Sequence, residues 1–285
     1  MHLSARGTQK RFAYAAALLA VAVSPPAPNA PLPRSAPALA TVLAATSSSL
    51  EEAVGEWRDK ARPAPRDVTL YALYQQRIYR LLAQNERLAD TVLARLRPDL
   101  AKFSRDLLLA HRGLYRLTPP ISRRAIRVGV SEPAAKLLAH YREAQRRFRV
   151  SWNVLAAVNF VESKFGKLRS ASAAGAQGPM QFIPSTWRAY GLGGNIHDPH
   201  DAILGAANYL RASGAPNDLR RALYAYNHSF AYVDAVLRYA RRIAADRTTF
   251  YALYNWQVFV KTPGGDRRVT GPGLPSSKSR APRPA

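Results

Sequence analysis

Helical spacing of apolar residues is the feature that most restricts the fold of this chain. In residues 67–96 the apolar side chains recur every three or four positions: Leu70, Leu73, Tyr74, Ile78, Leu81, Leu82, Leu88, Val92 and Leu96. This spacing places them on one face of a helix, whereas the alternation typical of half-buried strands is scarce in the chain. Ala, Leu and Arg, which favour helices, are abundant. We therefore predict an all-α fold.

Composition limits the class of protein further. The chain has 285 residues, 47% of them hydrophobic, enough for one medium domain with extensions or for two small domains. The absence of cysteine excludes disulfides, thiolate metal sites and a lipid anchor attached through cysteine. The net charge of +24 indicates nucleic acid, an anionic membrane surface or an acidic cell-wall polymer as partner, or else an Arg-rich solvated surface.

The N-terminus has the pattern of an export signal. Basic residues within the first eleven positions precede a short apolar run at 12–23. This run is too short to span a bilayer but suits the core of a secretory signal, and residues 38–40 (ALA) fit a cleavage pattern. The alternative, a cytosolic chain with a buried N-terminal helix, conflicts with the Pro-rich segment 25–37, which we expect not to pack. We assign 1–40 to a signal and Pro-rich segment.

Residues 41–130 are predicted to form a linker and an N-terminal helical region. The polar stretch 47–65 has the composition of a linker. The long helix described above would end before Pro98, and a shorter helix at 100–112 would end at Gly113. The two helices would form a hairpin, and packing against the following domain is its simplest role.

Glu162 is the strongest chemical clue, because it is the only acidic residue between Ala144 and His197. Ser151 is expected to cap a helix at 152–165 that Gly166 ends. One face of that helix carries Leu155, Val158, Glu162 and Phe165. Burial among apolar residues and the negative helix end would both raise the pKa of this carboxyl, which suits a general acid. The simpler interpretation is a helix-end glutamate paired with Lys164, Lys167 or Arg169.

The segment after this helix has features of a ligand-binding loop. Residues 170–178 are small and polar, Gln181 offers an amide, and Met180 belongs either to an apolar floor or to the core. At 198–201 (DPHD), Asp198 is expected to cap a helix at 199–212, with Asp201 as a reciprocal cap. Capping explains these residues better than a metal site does, and no calcium-loop pattern is present, so we expect neither metal nor cofactor.

The remaining chain is predicted to hold two more helices and an aromatic segment. The helices should cover 218–226 and 230–245, with His228 as a polar turn residue. An aromatic cluster follows: Tyr251, Tyr254, Trp256 and Phe259. A small hairpin is expected at 258–270 and a disordered tail at 271–285.

Three motifs resemble those of the SLT-type lytic transglycosylases (glycoside hydrolase family 23). They are Glu162-Ser163, then residues 175–184 (GAQGPMQFIP), then residues 225–227 (AYN). The order matches the family pattern E-S, G-x-x-G-L-M-Q-x-M-P and A-Y-N. Pro179 in place of Leu, and residues 227–229 (NHS) in place of Asn-Ala-Gly, resemble the membrane-bound lytic transglycosylase B type instead.

The resemblance implies a lysozyme-like catalytic domain at 131–247, preceded by the helical hairpin region and followed by the aromatic segment and tail at 248–285. It implies cleavage of the MurNAc–GlcNAc β-1,4 linkage in peptidoglycan, with 1,6-anhydromuramyl ends as products and cell-wall remodelling as the outcome. Glu162 would be the catalytic acid and base. Substrate-binding positions would be Ser172, Met180, Gln181, Tyr226 and Asn227, with Tyr226 also hydrogen-bonding the catalytic carboxyl.

Alternative functions stay open at this point. A muramidase on the same fold would use water, and a second carboxylate such as Asp198, Asp201 or Asp234 would then have to lie near Glu162. A non-catalytic wall-binding protein would use only the positive charge. Nucleic-acid binding is disfavoured, because the chain has no basic–aromatic recognition motif and carries an export signal. We expect a secreted, wall-associated monomer whose partners are glycan strands and anionic wall polymers.

Overall fold

The structure, a computed structural model, describes residues 24–120 and 126–274. The predicted signal run at 12–23 and most of the predicted tail lie outside these residues. Within them the regular structure is helical apart from one two-stranded hairpin, which confirms the all-α prediction. The elements are α1 (Ala36–Glu56), α2 (Arg66–Ala83), α3 (Glu86–Leu93), α4 (Pro98–Leu117), α5 (Ala134–Phe148), α6 (Trp152–Ser163), α7 (Pro184–Tyr190), α8 (Pro199–Ala212), α9 (Leu219–Tyr226), α10 (Phe230–Ala245), α11 (Arg247–Tyr254), β1 (Phe259–Thr262) and β2 (Gly265–Arg268).

The predicted linker at 47–65 was wrong for most of its length, because α1 occupies it as far as Glu56. Helix α1 forms because its apolar residues share one buried face: Leu39, Leu43, Leu50 and Val54. The prediction that residues 25–37 do not pack was also wrong. Tyr74 and Arg77 on α2 hold the segment, and the guanidinium of Arg77 donates to the carbonyl oxygen of Ala30 at 2.7 Å. Residues 38–40 lie in the first turn of α1, and a cut there would remove buried side chains.

The predicted single helix at 67–96 is two helices. Asn85 interrupts it, since its side chain accepts a hydrogen bond from the backbone N–H of Leu88 and so caps a new helix, α3. The predicted end at Gly113 was wrong as well, because α4 continues to Leu117. A Cβ at Gly113 would lie 3.4 Å from the carbonyl oxygen of Ala231, so this glycine lets α4 pack closely on α10.

Helix α6 lies inside the helical bundle and contacts α5, α8, α10 and α11. Most of its residues are buried: Val154, Leu155, Ala156, Ala157, Val158, Asn159, Phe160 and Ser163. One continuous group of buried side chains runs from Leu39 to Trp256, so the N-terminal helices pack against the rest of the protein. These contacts hold α6 in place and thereby position the residues of its last turn, among them Glu162.

The C-terminal aromatic residues close one end of this core. Tyr251 and Tyr254 lie on α11, a helix that the sequence patterns did not predict. Trp256 is buried against Tyr79 and Phe160, with ring centroids 5.9 Å and 5.8 Å apart. The hairpin forms as expected, with Phe259 opposite Arg268. Searched over the described residues, no helix has the length and hydropathy needed to cross a membrane.

Candidate active site

Glu162 lies in the last turn of α6, where the backbone leaves the helix abruptly. The helix ends at Ser163 rather than at Phe165 as predicted, because Lys164 and Phe165 adopt left-handed conformations with φ of 53° and 61°. Phe165 is then turned into the core beside Phe160, with ring centroids 5.5 Å apart. The helix therefore ends one residue after Glu162.

The carboxyl of Glu162 is partly buried and holds one strong hydrogen bond. The hydroxyl of Tyr232, near the start of α10, donates to its Oε1 at 2.6 Å. Burial raises the pKa of Glu162 from its ordinary value of 4.5 to about 7; the Tyr232 hydrogen bond and the charge of Lys164 oppose that shift more weakly. Close to neutral pH the carboxyl therefore exists in both protonation states, as a group that gives and takes a proton requires.

In the described residues, Glu162 does not form the ion pair with Lys164, Lys167 or Arg169 that the simpler interpretation predicts. The ammonium of Lys164 donates to the carbonyl oxygen of Phe160 at 2.9 Å, and that of Lys167 donates to the carbonyl oxygen of Trp256 at 2.7 Å. Arg169 donates to a backbone carbonyl oxygen near the N-terminus of α5. Each predicted partner is thus engaged elsewhere, and in the described part of the chain no salt bridge neutralises Glu162.

Ser163 connects the end of α6 to the loop that carries the second motif. Its hydroxyl donates to the carbonyl oxygen of Pro179 at 2.5 Å and accepts from the backbone N–H of Gly166 at 2.8 Å. Gly178 has φ of +75°, and a Cβ there would lie 1.9 Å from the carbonyl oxygen of Ile196. Only glycine fits at this position, and residues 177–182 form a tight turn that Ser163 holds against the end of α6.

The predicted substrate-binding residues occupy different environments. Met180 is fully buried, so it is a core residue whose backbone faces the site. Gln181, at φ of 51°, turns its side-chain amide back onto the carbonyl oxygen of Gly178 at 3.0 Å. Ser172 is exposed and its hydroxyl accepts from the backbone N–H of Ala176 at 3.0 Å, while Asn227 is exposed at the end of α9.

The predicted bond between Tyr226 and the catalytic carboxyl was wrong. The hydroxyl of Tyr226 donates to the carbonyl oxygen of Met180 at 2.7 Å, and Tyr232 takes the predicted role. The two rings lie nearly parallel with centroids 6.5 Å apart, so Tyr226 is a neighbour of the tyrosine that holds the carboxyl. The motifs did not include Tyr232, because it lies beyond residues 225–227 near the start of α10.

The carboxylates considered as a second catalytic group beside Glu162 form hydrogen bonds with other residues. Asp198 accepts from the backbone N–H of His200 and Asp201, and Asp201 accepts from the N–H of Asn195 instead of acting as a reciprocal cap. Asp234 is bonded to an arginine of α9 at 2.9 Å. Among the described residues, no hydrogen bond joins Glu162 to a second carboxylate.

One cavity lies away from Glu162, which is not among its lining residues. It has a volume of about 280 Å³ and lies between the N-terminal helices and the last two helices, with Gln75, Phe103 and Thr249 among its lining residues. Ser172, Asn227 and Phe230 are exposed, and Glu162 itself is partly exposed.

One comparison with known proteins gives a match. Residues 140–248 match the family model described as the transglycosylase SLT domain. This segment is similar to the SLT-type transglycosylase domain, and the match supports a lytic transglycosylase-type action on peptidoglycan in general. No curated protein and no solved structure matches the chain.

Proposed function

We propose that this chain, which carries an SLT-type domain at 140–248, is a lytic transglycosylase that cleaves the MurNAc–GlcNAc β-1,4 linkage of peptidoglycan and leaves 1,6-anhydromuramyl ends. The observation that carries the proposal is the state of Glu162. Its pKa is raised to about 7 by burial, and the hydroxyl of Tyr232 holds it at 2.6 Å. A lone carboxyl of this kind supports acid and base work by one group in turn.

In the first step the protonated carboxyl of Glu162 donates its proton to the glycosidic oxygen. The bond between C1 of the muramyl sugar and that oxygen breaks, and the N-acetylglucosamine side leaves as an alcohol. Positive charge develops at C1 and is stabilised by the acetamido group of the same sugar. Tyr232 orients the carboxyl throughout, and it stays protonated because burial and the neighbouring Glu162 charge raise its pKa well above 10.

In the second step the carboxylate of Glu162 accepts the proton of the muramyl C6 hydroxyl. The C6 oxygen then bonds to C1, which closes the 1,6-anhydro ring and restores the protonated carboxyl. No water is consumed. An internal nucleophile removes the need for a second carboxylate to activate water.

The turn at 177–182 supports binding of the glycan beside the carboxyl. Ser163 fixes this turn to the end of α6 through the carbonyl oxygen of Pro179. The amide of Gln181 and the exposed side chains of Ser172 and Asn227 offer hydrogen bonds to sugar hydroxyl and acetamido groups. We assign these three residues to substrate binding, with Met180 as the core residue that supports them.

The test is product analysis on purified peptidoglycan with wild type and Glu162→Gln. Wild type should release anhydromuramyl fragments, detected by mass spectrometry as products one water lighter than the reducing forms. General acid–base catalysis supplies a factor of about 10² to 10⁴, so the variant should lose at least about 100-fold in rate. Glu52→Gln, the same substitution at an exposed position of α1, is the matched control and should remain active.

Other outcomes refute the proposal in distinct ways. Reducing ends in place of anhydro ends would identify a muramidase that uses water. Binding to peptidoglycan without any fragment release would identify a wall-binding protein. Full activity in Glu162→Gln would remove Glu162 from the chemistry.

The positive charge supports a location at the cell wall. With a net charge of +24, the chain should be attracted to anionic wall polymers in addition to its glycan substrate. We propose that it is exported and acts as a wall-associated monomer. Binding to isolated walls should weaken as salt is raised from about 0.05 to 0.5 M, since screening shortens the range of the attraction; salt-independent binding would contradict this.

A further inference from the structure

We infer that the chain has a metal site between α5 and α8, in which His140, Glu143 and His200 bind one Zn²⁺ ion. His140 and Glu143 are three residues apart on α5 and therefore share a face. His200 is the second residue of α8, which packs against α5. None of these residues is among those proposed above to take part in catalysis or substrate binding.

The distances suit a small cation. The ligand atoms of the three side chains all lie within 4.8 Å of one another. Ligands that bind Zn²⁺ at about 2.0–2.2 Å in a tetrahedron lie about 3.5 Å apart. Nε2 of His200 and Oε2 of Glu143 are already 3.0 Å apart, so His140 needs to move by only about 1 Å. The side chains of His200 and Glu143 are 36% and 45% exposed, which leaves room for this adjustment and a path for the ion.

Two more carboxylates lie beside the imidazoles and would be outer partners of a metal bound through Nε2 of His200 and Nδ1 of His140. Oδ1 of Asp201 is 3.4 Å from Nδ1 of His200, and Oε2 of Glu132 is 3.1 Å from Nε2 of His140. A carboxylate on the far nitrogen orients a metal-ligating imidazole and makes it more basic. Nζ of Lys136 also lies 2.6 Å from Oε1 of Glu132. The cluster nevertheless has more carboxylates, those of Glu132, Glu143 and Asp201, than lysine or arginine cations paired with them.

The donor set selects the metal. Two imidazoles and a carboxylate favour Zn²⁺ over Ca²⁺ and Mg²⁺, which prefer oxygen ligands alone. The two rings are also close, with centroids 4.8 Å apart, so one ion can reach both.

A metal ion at this site would stabilise the loop against which the turn at 177–182 packs. Asp201 follows His200 and accepts the backbone N–H of Asn195, and the neighbouring Ile196 carbonyl packs against Gly178. Tying the start of α8 to α5 therefore restrains the loop at 193–198 on which that turn rests. The expected role is structural and does not involve the reaction.

The experiment is calorimetric titration of Zn²⁺ into tag-free, chelator-treated full-length protein, together with thermal unfolding at saturating Zn²⁺. One ion should bind per chain, and the midpoint should rise by about 5 °C at 100 times the dissociation constant. His200→Asn and Glu143→Gln should each weaken binding at least about tenfold, the lower end of the loss typical for the site's outer partners. His228→Asn, the same histidine change at an exposed turn, should bind as wild type does.

The inference is overturned if wild type binds no Zn²⁺ at about 100 μM, or if both cluster variants bind as tightly as His228→Asn does. Circular dichroism of each variant identifies a folding defect, and the volume-conserving Glu143→Gln keeps the test valid if His200→Asn does not fold. The readout involves no peptidoglycan, so it is independent of the proposed enzymatic activity.

Discussion

Replacing Glu162 by glutamine should stabilise the fold at pH 8 relative to wild type, but not at pH 4. Burial raises the pKa of this carboxyl from 4.5 to about 7 in the folded protein. Between these values the folded state keeps a proton that the unfolded chain releases, so wild type loses stability as the pH rises. At 1.36 kcal/mol per pH unit the full gap corresponds to about 3 kcal/mol, and partial exposure reduces the expected loss to about 2–3 kcal/mol. Glutamine does not titrate and escapes the loss.

The assay is urea denaturation followed by circular dichroism, for both proteins at pH 4 and pH 8. The quantity of interest is the change with pH in the free-energy difference between variant and wild type. Titrating groups that do not interact with Glu162 cancel in it, including Lys167, whose pKa burial lowers to about 7. Lys164 does not cancel fully, because the charge of Glu162 raises its pKa. Glu52→Gln gives the baseline for the substitution at an exposed position. If the Glu162→Gln difference changes by less than about 0.5 kcal/mol between the two pH values, the carboxyl titrates normally and the reasoning fails.

Three further predictions concern the surroundings of the carboxyl. Tyr232→Phe removes a charge-assisted hydrogen bond worth about 1.5–3 kcal/mol, so the rate should fall about 10- to 100-fold. The alkaline limb of the pH–rate profile should also shift to higher pH, because this hydrogen bond lowers the pKa of Glu162. Tyr226→Phe should leave that limb in place. Gly178→Ala puts a Cβ 1.9 Å from a carbonyl oxygen and should lower the free energy of unfolding, measured by urea denaturation, by about 3 kcal/mol or more. At Gly175 a Cβ meets nothing within 4 Å, so Gly175→Ala should lower it by about 1 kcal/mol. Equal losses in the two variants would contradict the packing described. Ser163→Ala leaves buried backbone groups without their partner and should lower the free energy of unfolding by about 1–3 kcal/mol, and an unchanged value would refute that role.

Much of the helical framework was predictable from local signals. Asp198 before Pro199 predicted the start of α8, and the structure contains that cap. Ser229 likewise caps α10, whose predicted bounds are confirmed. The position of Glu162 in the last turn of an apolar helix was also readable, because caps and spacing depend on residues close together in the chain.

The errors have physical causes of two kinds. Helix α1 was missed although Leu39, Leu43 and Leu50 have helical spacing, because its Ser-rich centre has the composition of a linker. Other errors depended on tertiary contacts. Nothing in the local sequence indicates that Tyr232 rather than Tyr226 reaches the carboxyl, because the choice depends on how α9 and α10 are placed around α6.

The most direct test is an NMR titration of the Glu162 side-chain carboxyl carbon in ¹³C-labelled wild type, with Glu162→Gln to identify the signal. A midpoint near pH 7 is predicted, because burial raises the pKa of this carboxyl to about that value. A midpoint near the ordinary value of 4.5 would contradict the account, since the carboxyl would then hold no proton to donate at neutral pH.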